Sequence, residues 1–76
     1  MRILTFGAVA EIIGQSSFTM DDHFSSTKEL IQQLEADFPR LKTVSFVLAV
    51  NRQVVNRPAP LTADATVALL PPFSGG

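Results

Sequence analysis

SSTKELIQQLEADFP, residues 25–39, decides the fold. Ser26 followed three positions later by Glu29 is the capping-box pattern, in which two side chains satisfy the free N–H groups of a helix start. Leu30, Ile31, Leu34 and Phe38 then recur at helical spacing and make one apolar stripe. Pro39 closes the helix at Phe38, because the residue before a proline is pushed out of the α region. The pattern therefore predicts one amphipathic helix whose stripe needs a flat apolar partner.

The chain on both sides supplies that partner as strands. MRILTFG (residues 1–7) alternates, with Arg2, Leu4 and Phe6 on one face and Met1, Ile3 and Thr5 on the other. AVAEII (residues 8–13) predicts a short helical turn stopped by Gly14, and SSFTM (residues 16–20) a second strand before an Asp21-Asp22 turn. VSFVLAV (residues 44–50) is almost continuously apolar and predicts a strand well inside the sheet. NRQVVN (residues 51–56) reads as a turn and a short return strand, and RPAPL (residues 57–61), with its two prolines, as loop. TVALL (residues 66–70) is the last strand, with Val67 and Leu69 opposite Ala68 and Leu70. The order β-β-α-β-β-β gives the α+β class, a mixed sheet of about five strands crossed by one main helix. The first and last strands are apolar on both faces, yet one helix covers only one. The other face is expected to meet a partner.

Composition narrows the partner. Six basic residues against seven acidic ones, with no polybasic stripe, argue against nucleic acid and against an anionic membrane surface. Its longest apolar run, residues 44–50, is too short to span a bilayer. The chain has no cysteine, so disulfides and thiolate chemistry are excluded, and a reducing, cytoplasmic setting is expected. A chain of 76 residues is one domain, without room for a buried catalytic cleft of its own. Glycine-rich phosphate loops, G-x-S-x-G and H-E-x-x-H are missing. His23, after Asp21-Asp22, reads as a solvated turn, so no metal site is expected. Arg40 and Lys42 suit a helix C-terminus, while Arg52 and Arg57 read as surface charges in turns.

That leaves PPFSGG, residues 71–76, as a tail on a folded body of residues 1–70. A frayed end with a Gly-Gly linker is the plain reading. A reactive terminal carboxylate is the other. Pro71 and Pro72 fix φ and favour an extended path, and Phe73 offers a flat apolar anchor. Ser74 is small and has no base beside it, which argues against a nucleophile. Gly75 and Gly76 carry no side chains, so the carboxylate can pass down a narrow channel. An α-carboxylate, with pKa about 3.3–3.7, is ionised and inert at neutral pH. It must first be activated, for example as an acyl-adenylate from ATP, before a sulfur donor or an amine can attack.

In FGAVAEIIG, LAVNRQVV, PLTADATVALL and above all PPFSGG, the chain resembles the ubiquitin-like β-grasp sulfur carriers, and most nearly the small subunits of molybdopterin synthase. The resemblance covers essentially the whole chain. It implies a β-grasp fold that binds no cofactor itself and is not catalytic alone. Gly76 would be adenylated by a ubiquitin-activating-like adenylyltransferase that uses ATP, then converted to a thiocarboxylate by a sulfur donor. Gly75, Ser74, Phe73, Pro72 and Pro71 would be the stretch a partner recognises. The loaded tail would enter the large subunit of molybdopterin synthase and deliver sulfur to cyclic pyranopterin monophosphate. Phe6, Leu61 and Leu70 would form the apolar docking face. Two positions depart from the family pattern. Ala10 stands where a basic residue often precedes the glutamate, and Ala63-Asp64-Ala65 replaces Asp-Gly-Asp, which puts Asp64 at the glycine position, where a left-handed conformation is tolerable for Asp. Alternatives are the sulfur carrier for thiamin thiazole synthesis, a protein modifier ending on lysine amines, and a plain binding module.

Overall fold

The computed structural model describes residues 1–21, 23–56 and 58–72. In chain order the elements are β1 (Arg2–Thr5), α1 (Gly7–Ile13), β2 (Ser17–Thr19), α2 (Thr27–Asp37), a 3-10 helix (Pro39–Thr43), β3 (Val47–Val50), β4 (Gln53–Val55) and β5 (Thr66–Leu70). The sheet order is β2-β1-β5-β3-β4. Among the described residues only the central β1–β5 pair is parallel, with Ile3 opposite Val67 and Thr5 opposite Leu69. The expected α+β sheet is present, and it has five strands.

Strand alternation sorts the side chains into two faces. Ile3 of β1, Val67 and Leu69 of β5 and Leu48 of β3 join Leu30 and Leu34 of α2 in one core cluster, with Val9 and Ile13 of α1 at its end. Burying this apolar surface is the main term holding so short a chain together. Thr5 is the polar exception on the sheet. It is buried, and its hydroxyl donates to the Gln15 carbonyl, so the cost of burial is met.

α2 forms as the sequence predicts. Ser26 is the N-cap, its side chain accepting the Glu29 N–H at 3.4 Å. The Glu29 carboxylate reaches one residue further back than a standard capping box, accepting the Ser25 N–H at 3.0 Å and also the Ser25 hydroxyl. The helix start is also tied to the proline loop. Thr27 N–H donates to the Ala59 carbonyl at 2.8 Å, and Ala59 N–H returns to the Thr27 hydroxyl at 2.9 Å. Phe38 ends the helix, as expected before Pro39.

One local expectation is corrected. β3 starts at Val47 rather than Val44, because the chain after α2 makes a 3-10 helix that drives Leu41 into the core. Asp64 is not left-handed; among the described residues the non-glycine positions with positive φ are Asn51 and Arg52. Its carboxylate accepts the Thr62 hydroxyl at 2.7 Å, and that hydrogen bond holds it below the usual carboxylate range. No helix among the described residues is long and apolar enough to cross a membrane.

Candidate functional site

The candidate site is the exit of the chain from the sheet. β5 lies between β1 and β3, paired through Leu69 on one side and Leu70 on the other. The Phe6 N–H adds one more bond to the Leu69 carbonyl, at 3.2 Å. Pairing stops at Leu70 because Pro71 and Pro72 have no N–H to give. Both prolines are exposed. The backbone is thus held by β1 as far as Leu69 and by β3 as far as Leu70, and it leaves the sheet at two exposed prolines.

Gly7 fits the first released residue. Its φ of +59° lies in the left-handed region, and a Cβ there would stand 3.2 Å from Pro71 Cγ. A glycine at this point lets β1 turn directly into α1 while Pro71 lies against the bend. α1 itself closes on Gly14, whose N–H bonds the Ala10 carbonyl at 2.8 Å.

The structure separates the three residues expected to dock a partner. Phe6 is 45% exposed, and its extended backbone carries on the open-face alternation of Arg2 and Leu4. Leu70 is half-buried on that same face, opposite Val47. Leu61 does not join them. It is 7% exposed in the core cluster, drawn inward because its N–H bonds the Ser25 carbonyl at 3.0 Å and ties its loop to the start of α2. Phe73, Ser74, Gly75 and Gly76 lie outside the described residues.

Sequence reasoning missed two features. One is the Gly7–Pro71 contact, which nothing local to either residue signals. The other is the β3–β4 turn, where Asn51 at φ +48° and Arg52 at φ +73° make the left-handed pair of a two-residue hairpin. Asn51 was a visible clue, since asparagine tolerates that conformation. It locks the turn to β5, donating its N–H to the Thr66 carbonyl at 2.8 Å and accepting the Thr66 N–H on Oδ1 at 3.0 Å.

Comparison with known proteins agrees with this geometry. The family model described as ThiS family matches residues 3–76, nearly the full chain including the tail. This chain belongs to the ThiS family. A curated relative, the molybdopterin synthase sulfur carrier subunit of Dictyostelium discoideum, is 32% identical over 81 aligned positions. The match spans 99% of this chain and 94% of that protein. The family resemblance read from the tail and hairpin motifs stands, and the β-grasp architecture with it.

Proposed function

We propose that this chain is a sulfur carrier for molybdenum cofactor synthesis, working through the carboxylate of Gly76. A ubiquitin-activating-like adenylyltransferase presents ATP, and a Gly76 carboxylate oxygen attacks the α-phosphorus, releasing pyrophosphate. The acyl-adenylate is a mixed anhydride, so sulfide-level sulfur released by a sulfur donor attacks the Gly76 carbonyl, the C–O bond to AMP breaks, and a thiocarboxylate remains. The loaded tail enters the large subunit of molybdopterin synthase, where groups of that subunit carry out sulfur transfer to cyclic pyranopterin monophosphate. This chain supplies the nucleophilic sulfur and a rigid handle behind it, in the cytoplasm.

The observation that carries the reading is the exit geometry. β5 is held by β1 as far as Leu69 and by β3 as far as Leu70, and it leaves past Gly7 as two exposed prolines, which supports a fixed body with a projecting end. The name of the Dictyostelium relative supports the choice of pathway.

Intact mass after incubation with ATP, a sulfur donor and the host adenylyltransferase tests it. One oxygen replaced by sulfur, mapped to Gly76, is expected. Deleting Gly76, or extending the chain beyond it, abolishes that change while circular dichroism stays the same. Normal loading of either variant sinks the proposal.

A further inference from the structure

The sheet face away from α2 carries Leu4, Ala68, Leu70, Val47 and Ala49 in its middle, by the alternation that sends Ile3, Val67 and Leu69 inward. Where the two alanines pair across β3 and β5, the small side chains leave a hollow of about 440 Å³. Leu4 and Thr66 stand beside it, and Arg2 and Arg52 rim it.

Both arginines are placed by Thr66. Arg2 is its cross-strand partner on β1. Arg52 follows Asn51, whose two bonds to the Thr66 backbone fix the turn. Arg52 itself holds the left-handed φ of +73°, a conformation glycine would adopt more readily. No acidic residue lines the hollow, and neither arginine side chain is paired with a carboxylate among the described residues.

Resting on the function proposed above, we propose that this hollow receives an acidic side chain of the large subunit of molybdopterin synthase. Two guanidinium groups and the Thr66 hydroxyl suit a carboxylate, and the alanine floor leaves room for the short stem of an Asp or Glu. A protein fits better than a free anion. The arginines are exposed, so water and salt weaken their hold on any ion that no surrounding surface shields. The apolar strip also continues from the hollow through Leu4, Ala68 and Leu70 to Phe6 at the tail exit, so one partner that takes the tail can cover it all. Arg2 and Arg52 then set the register of that partner at the end of the sheet opposite the tail.

The test is calorimetric titration of the full chain against the host's purified large subunit, at low and high salt. Arg2→Glu and Arg52→Glu are each expected to weaken binding by about tenfold or more, with a flatter salt dependence than wild type. Arg52→Lys, which keeps the charge but not the fork, falls between. Arg2→Gln replaces Arg2→Glu if the reversal disturbs β1, and thermal melts check each fold. Binding of the reversed variants within about twofold of wild type, where charged rim contacts go unfelt, overturns the pocket alone. A wild-type chain that self-associates through this face, and loses that with Arg52→Glu, also overturns it. Failure of the wild-type chain to bind the large subunit overturns the function beneath it as well.

Discussion

At the scale of single residues, the two described left-handed glycines, Gly7 and Gly14, ask different things of their neighbours. Gly14, at φ +85°, has nothing within 4 Å of where a Cβ would stand, so alanine there costs only backbone strain. Gly7 adds a close approach to Pro71. Left-handed backbone costs an L-residue roughly 1–2 kcal/mol. We expect Gly14→Ala to lose about that much, and Gly7→Ala to lose it and also displace the start of the tail. Thermal melts read the first effect. Loading by the adenylyltransferase, slowed in Gly7→Ala but not in Gly14→Ala, reads the second. Equal loading of the two variants would show that Pro71 does not depend on Gly7.

At the scale of elements, the start of α2 is where pH acts. The Glu29 carboxyl is held below its ordinary value of 4.5, first by the Ser25 hydroxyl, then by the Ser25 N–H, with a smaller push from the His23 charge. A depressed folded pKa gives stability that is present above the unfolded value and lost as pH falls through the folded one. Acid unfolding of the wild type is therefore expected to steepen below pH 4.5, and Glu29→Gln to remove that part of the slope. Ser26→Ala removes the cap itself and costs about 0.5–2 kcal/mol at neutral pH. Denaturant titrations at several pH values check both. This helix was legible in the sequence, but for the shift of the Glu29 contact to Ser25, because its cap, stripe and stop are all local. The segment after it was not. An apolar run beginning at Val44 has no local mark separating strand from crossover, and the decision is made by Leu41 packing into a core assembled from distant elements. The exposed prolines Pro71 and Pro72 were legible for the same reason, while the expectations for Phe73, Ser74, Gly75 and Gly76 lie outside the described residues. The arginine-rimmed hollow was hidden, since residues from β1, the β3–β4 turn and β5 meet only once the sheet has formed.

At the scale of the whole molecule, β5 serves both the core and the exit, and on the proposed function its two faces separate folding from assembly. Leu69 is fully buried, and Leu69→Ala is expected to cost about 2–5 kcal/mol, a large share of the roughly 5–15 kcal/mol that holds a domain together. Phe6→Ala, at a site 45% exposed, leaves the melt almost unchanged and weakens assembly with the large subunit by about 1–3 kcal/mol. Melting and titration of the two variants check this, and a Phe6→Ala chain that binds like wild type removes Phe6 from the docking surface. The parallel pairing of β1 with β5 has a practical consequence for all such experiments. Arg2 pairs with Thr66, so the amino end enters the sheet four residue steps, or about 13 Å, from the point where Leu70 hands over to Pro71. The Met1 amine donates to the Met20 carbonyl at 3.2 Å, a bond that an ordinary peptide N–H can also make. A fluorophore, purification tag or sensor surface attached through Met1 therefore sits beside Arg2 at the rim away from Pro71, a placement that suits readouts of loading at the tail and is to be avoided when the arginine-rimmed hollow is titrated.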